Sequence, residues 1–234
     1  MRFIAKERNP ASLEKWKVKR ITACQKCNYS NLDAAVLSDI RNQLLIEQKH
    51  LCCYCQQRIT ANNSTIEHFL PQKKFDLHQV EYLNLHLACN YSRGIKKENA
   101  YCDVKKGDDI IVNILLHPDC ESYFYYSKNG EIFPDCNVKC ISFKEFKENK
   151  LSEFDDKTLS IIQLISVLNL NAPELISKRK SHINTIFDNI DIFDTKEKIE
   201  QYLTKENMKD KSSPFSSITK FFLQKQLHLI TRKP

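Results

Sequence analysis

Apolar residues recur along this chain at spacings of three and four in several stretches, and each stretch predicts a helix. Between residues 33 and 49 the series is Val36, Leu37, Ile40, Leu44 and Leu45, preceded by Asp33 as N-cap, so this helix runs up to Cys52. From about residue 155 the same period returns, with Leu159, Ile162, Leu164, Ile165 and Leu168 on one face. Asn171 with Pro173 opens a further helix carrying Leu175, Ile176, Ile183, Ile186, Phe187 and Ile190. Thr195 opens another around Ile199, Tyr202 and Leu203, and Ser213-Pro214 a last one with Ile218, Phe221, Phe222 and Leu229. These stripes read as core packing of a helical layer. Residues 122–134 have a different pattern. Tyr123-Phe124-Tyr125-Tyr126 and Ile132-Phe133 flank Asn129-Gly130, the pair favoured in two-residue hairpin turns.

The three glycines, Gly94, Gly107 and Gly130, all fall in the middle of the chain. Helices tolerate glycine poorly and tight turns want it, so the flanks are expected to be helical and the centre irregular or β-containing. A chain of 234 residues with 41% apolar and 28% charged positions is long enough to bury a real core. No apolar run reaches the roughly 18–20 residues needed to span a bilayer, and Met1 to Arg8 lacks a secretion-signal stretch, so a cytoplasmic protein without a membrane partner is expected. Net charge +7 is compatible with a polyanionic partner without demanding one.

Ten cysteines in a reducing compartment point to metal rather than to disulfides. Cys52 and Cys55 have the two-residue separation that lets one turn present two thiolates to a tetrahedral ion. Cys89 and Cys102 are the candidates to close that site, with the polar excursion Asn90 to Tyr101 between them. Cys53 competes with Cys52, and the Cys52 spacing to Cys55 favours Cys52; His50 is a minor alternative ligand. Cys24 and Cys27 with Cys136 and Cys140 offer a possible second zinc site, and Cys120 reads as a free thiol.

Among the cysteines lies a set suited to phosphodiester hydrolysis. Neutral His68 titrates in the range of a base that takes a proton from water. Glu67 and Asp103 offer hard oxygen ligands for Mg²⁺ or Mn²⁺, which polarises a phosphate and stabilises the leaving oxygen. Asn84 can fix the imidazole or the adjoining loop through its amide, and Lys105 and Lys106 are placed to contact phosphates. His78, His86, His117, His182 and His228 have no such context.

In this order Cys52/Cys55, Glu67-His68, Asn84-Leu85 and Cys89 with Cys102-Asp103 resemble the HNH endonucleases, the ββα-metal nucleases. The chain looks closest to the HNH subunit of Septu-type anti-phage systems, which also accompanies some retrons. The resemblance rests on Glu47 to Cys55, Ile66 to Pro71, Cys89-Asn90, Cys102 to Gly107, Phe124 to Ile132 and Leu168 to Asn171. It departs from the general pattern at three points. An insert splits the second cysteine pair, Ser92 stands where an unbroken pair would place its second cysteine, and Asp103 replaces an Asn or His.

The resemblance implies an α+β, predominantly helical protein, with a ββα-metal core and a structural zinc knuckle flanked by helices. Residues 1–32 would form an N-terminal segment, 33–135 the nuclease core and 136–234 a helical region that docks a partner. It also implies an effector of antiviral defence acting on DNA or RNA beside an ABC-type ATPase, in some systems with a retron reverse transcriptase and its RNA–DNA product. The competing expectation is a non-catalytic zinc-stabilised module that presents Arg93 to Lys97 to nucleic acid or protein.

Overall fold

The computed structural model describes residues 1–136, 142–144 and 154–232. Among these, seven helices surround two small antiparallel sheets. The order is α1 (Ala11–Thr22), α2 (Ala34–Glu47), β1 (Ser64–His68), β2 (Leu85–Cys89), α3 (Asp103–Lys106), β3 (Phe124–Tyr126), β4 (Ile132–Pro134), α4 (Asp156–Val167), α5 (Pro173–Asp188), α6 (Lys196–Met208) and α7 (Ser216–Thr231). The mixed class expected from the sequence is present, with helices dominating and β1, β2 and α3 in ββα order.

Helix α2 buries Val36, Ile40, Leu44 and Leu45, four of the five residues whose spacing predicts it. Asp33 occupies the N-cap position in extended conformation, although its side chain caps no amide. The helix stops at two consecutive left-handed residues, Lys49 and His50, which turn the chain into the cysteine pair. Buried Gln48 then acts as a strand surrogate. Its amide donates to the Leu51 and Leu87 carbonyls at 2.9 Å each and accepts from Leu87 N at 2.7 Å, tying β2 to the Cys52–Cys55 turn.

β1 and β2 pair with Glu67 opposite His86 and His68 opposite Leu85. In the second sheet, Tyr126 pairs with Ile132. The turn between them is longer than the two-residue form expected. Gly130 N bonds Ser127 O and Ser127 N bonds Glu131 O, with Gly130 at φ +90°. A Cβ there would come within 2.3 Å of Ile176 O on α5, so both the turn and the close helix demand glycine.

The C-terminal helices begin close to where the sequence places them. Asp155 caps α4 through Thr158 N, Pro173 sits in the first turn of α5, and Thr195 caps α6 through Lys198 N. The last helix, α7, starts at Ser216 after left-handed Phe215, and Leu229, expected on its apolar face, is exposed. One connected apolar cluster runs from Met1, Leu13 and Trp16 through α2 and both sheets to Leu164, Leu175, Ile183 and Phe222. The helical layer also grips the centre of the chain directly. Leu168 O accepts from Cys102 N at 2.9 Å, and Asn171 pairs its side-chain amide with both backbone groups of Ile132 at 2.9 Å.

Candidate metal centre and hydrolytic site

Four thiols meet at the end of β2. The Cys52–Cys55 turn is closed by Cys52 N to Gln57 O and Gln56 N to Cys52 O, Cys89 ends β2, and Cys102 precedes α3. Their Sγ atoms all lie within 4.8 Å of one another and are buried. The Cys52–Cys102 and Cys55–Cys89 separations are 3.9 and 3.6 Å. A tetrahedral ion with bonds of about 2.3 Å sets its thiolates roughly 3.8 Å apart, close to these two separations, so this group could hold a zinc ion.

Cys53 is also buried but lies outside the group. Ser92 does not face the thiols. Its hydroxyl donates to Tyr101 O at 3.0 Å and accepts from Tyr101 N at 3.1 Å, closing the neck of the insert so that Cys102 returns beside Cys89. Cys24, Cys27 and Cys136 join no metal-sized group among the described residues, and Cys140 lies outside them. Cys120 is a buried free thiol.

The end of β1 carries Glu67 and His68, both buried. The imidazole is held at both nitrogens. Nε2 lies 2.9 Å from Gln79 O, which can only accept, so Nε2 bears the proton and donates. Nδ1 therefore carries the lone pair and accepts from the Gln72 side-chain amide at 3.0 Å. Tyr29, from the segment before α2, covers the ring edge-on at 4.5 Å, and its backbone N–H is held by the Gln79 side chain. Burial lowers the His68 pKa below that of a free imidazole, against the opposing effect of the Gln79 hydrogen bond.

Asn84, immediately before β2, is buried and touches the loop rather than the ring. Its carbonyl accepts from Leu70 N at 2.6 Å, and its amide donates to Leu70 O and His78 O. It thereby clamps both sides of the 70–79 loop that supplies Gln72 and Gln79.

Glu67 faces α3. Its Oε1 accepts from Tyr54 OH at 2.9 Å and pairs with Lys106 Nζ at 2.8 Å, while its carboxylate also meets that of Asp103. Burial, then the neighbouring Asp103, pushes the Glu67 carboxyl well up. Asp103 opens α3, is half-buried, and accepts from Thr65 Oγ1 at 2.9 Å. Two carboxylates thus converge where the end of β1 meets α3, a donor set that fits a divalent ion and whose mutual repulsion such an ion would relieve.

The structure corrects the expected setting of Lys106. Its side chain is fully enclosed, where a phosphate does not reach, because α3 turns it inward onto Glu67 and the His68 carbonyl. Lys105 points outward from the same helix, donating to Lys97 O at 3.0 Å. Sequence reasoning also passed over Tyr54, Thr65, Gln72 and Gln79, whose types carry no metal or base signal. His86 is fully buried beside Phe69, and neither ring nitrogen makes a well-formed hydrogen bond.

No protein-family model matches the chain. Over 150 residues the chain is 27% identical to a protein of Vibrio cholerae serotype O1 biovar El Tor named "Retron Vc95 putative HNH endonuclease". The matched stretch covers 63% of this chain and 64% of that relative, so the chain spans less than two thirds of the relative's length. This similarity links the chain to the HNH family. No helix among the described residues is long and apolar enough to cross a membrane.

Proposed function

We propose that this protein is a metal-dependent HNH endonuclease that hydrolyses phosphodiester bonds. One observation carries the reading. The end of β1 carries an imidazole with a defined lone pair and, one residue before it, a carboxylate that meets Asp103, on a scaffold closed by four thiols. The bond from Nε2 to Gln79 O fixes the tautomer, and depression of the pKa keeps Nδ1 unprotonated near neutral pH, as a general base requires.

Water takes the place of the Gln72 amide at Nδ1 and gives up its proton there. Asn84 keeps the loop that carries both glutamines in register. Glu67 and Asp103 would hold Mg²⁺ or Mn²⁺, which supplies polarisation of the phosphate and stabilisation of the leaving oxygen. Zinc at Cys52, Cys55, Cys89 and Cys102 would be structural, since four thiolates leave no open position.

The substrate is DNA or RNA held mainly through phosphates, for which Lys105 and the exposed Lys96 and Lys97 are suited. We further place the protein in a cytoplasmic anti-phage complex with an ABC-type ATPase, and where a retron is present with its reverse transcriptase and RNA–DNA product. The Septu-type resemblance and the retron in the relative's name support that assignment, and the helical region is the docking surface it requires.

Plasmid nicking and RNA cleavage with Mg²⁺ or Mn²⁺, with and without EDTA, test the chemistry. His68→Ala is expected to abolish cleavage while keeping the fold and bound zinc. Cleavage retained in that variant removes His68 from the mechanism. Binding without nicking in the wild type returns the protein to a zinc-stabilised binding module, for which the exposed Arg93–Lys97 stretch is the favourable observation. Co-purification with the ATPase tests the complex.

A further inference from the structure

Lys106 is a lysine with no exposed side-chain surface, and both its acceptors belong to the hydrolytic site. Its Nζ lies 2.8 Å from Glu67 Oε1 and 3.1 Å from the His68 carbonyl. Enclosing an ammonium is costly unless it is paired and hydrogen-bonded, so these two contacts account for its presence there. It stands three residues after Asp103 on α3, which puts both on one face of the helix. A single cation therefore joins the helix bearing Asp103 to the strand end bearing Glu67 and His68.

We propose that Lys106 is a positioning residue for the hydrolytic centre, fixing the His68 backbone and committing one oxygen of Glu67, at some cost in affinity for the divalent ion. This rests on the nuclease reading. Two donors, Lys106 Nζ and Tyr54 OH, converge on Oε1, so that oxygen is not free for a metal. The positive charge beside it also opposes a second cation. Removing Lys106 leaves Tyr54 OH as the donor to that oxygen and removes the repulsion, while the base loses its tether. Metal affinity and turnover then move in opposite directions, a signature that a purely structural lysine does not give.

The test uses the full-length, zinc-loaded protein. In Lys106→Met, Mn²⁺ binding followed by electron paramagnetic resonance is expected to tighten about tenfold as the repulsion is lost. kcat should fall about a hundredfold through misplacement of the base, with KM for nucleic acid and its salt dependence unchanged. A kcat equal to wild type overturns the proposal. So does Mn²⁺ binding that weakens in step with the melting temperature, and so does a loss confined to KM with a shallower salt dependence, which marks a phosphate contact.

If Lys106→Met does not fold, Glu67→Gln is compared with Glu67→Gln/Lys106→Met, in which no buried charge is left unpaired. The His68 imidazole nitrogen resonances should shift between these two, and identical resonances overturn the proposal. A wild type that cleaves nothing defeats the nuclease reading alone. The Mn²⁺ titration and the imidazole resonances then still decide the role of Lys106.

Discussion

At the residue scale, the behaviour of the centre turns on which nitrogen of His68 holds a proton. A backbone carbonyl cannot donate, so the Gln79 contact alone fixes the neutral tautomer and leaves Nδ1 with the lone pair that the proposed base needs. Burial, the largest influence, and the nearby Lys106 lower its pKa, while the Gln79 bond and Asp103 act the other way. An ordinary imidazole is half-protonated at about pH 6.5. The acid limb of a kcat/KM profile should therefore have its midpoint below that value, with more than half of the full activity kept at pH 6.5. A midpoint at or above pH 6.5 would contradict this assignment of the base. The same sign holds for folding: the unfolded chain takes up a proton at His68 before the native one does. Stability contributed by the neutral ring is thus present above about pH 6.5 and drains away as pH falls through the lower native value.

At the scale of elements, the pieces legible in the sequence are those that depend on local spacing. The apolar period gives α2, α4 and α5, and the Cys52–Cys55 interval gives the turn. What local spacing does not carry is the partner of a polar side chain folded in from elsewhere. Lys106 reads as a surface charge until α3 is turned inward, and Gln48 and Asn171 read as ordinary polar residues until each satisfies a strand edge. Gly130 shows both kinds of information. Its pairing with Asn129 announces a turn, but the turn length and the helix lying against it are tertiary facts. Gly130→Ala must place a methyl on a residue at φ +90° and within 2.3 Å of Ile176 O, so α5 has to move off the hairpin. Positive-φ strain together with overpacking is expected to cost about 2–4 kcal/mol. A melting temperature equal to wild type would mean that α5 does not press on this turn. Zinc content should be unaffected, because no thiol of the metal group lies on either element.

At the scale of the whole molecule, the four-thiol group and the helical layer hold the chain together in different ways. The thiols come from the 52–55 turn, the end of β2 and the start of α3, so an ion there joins three pieces that share little regular structure. Their burial pushes the Cys102 thiol well up, and only a cation makes a cluster of thiolates tolerable in such a place. The C-terminal helices rely instead on apolar packing, with Ile183, Ile199, Ile218 and Leu223 buried among α5, α6 and α7. Binding an ion stabilises only states that retain its site, so chelation withdraws stability from the centre rather than evenly. Stripping zinc with a strong chelator at neutral pH should therefore raise amide exchange first in residues 51–107, including Cys53 N and Cys102 N, which bond Leu87 O and Leu168 O. Amides within α5 and α7 should keep most of their protection. Uniform loss across both regions would show one cooperative unit in which the ion supports the helices as well. Unchanged exchange around Cys102 would show that the four thiols hold no ion that the fold depends on. The first outcome also separates the two metals, because readdition of Mg²⁺ or Mn²⁺ should not restore protection at Cys102, whereas zinc should.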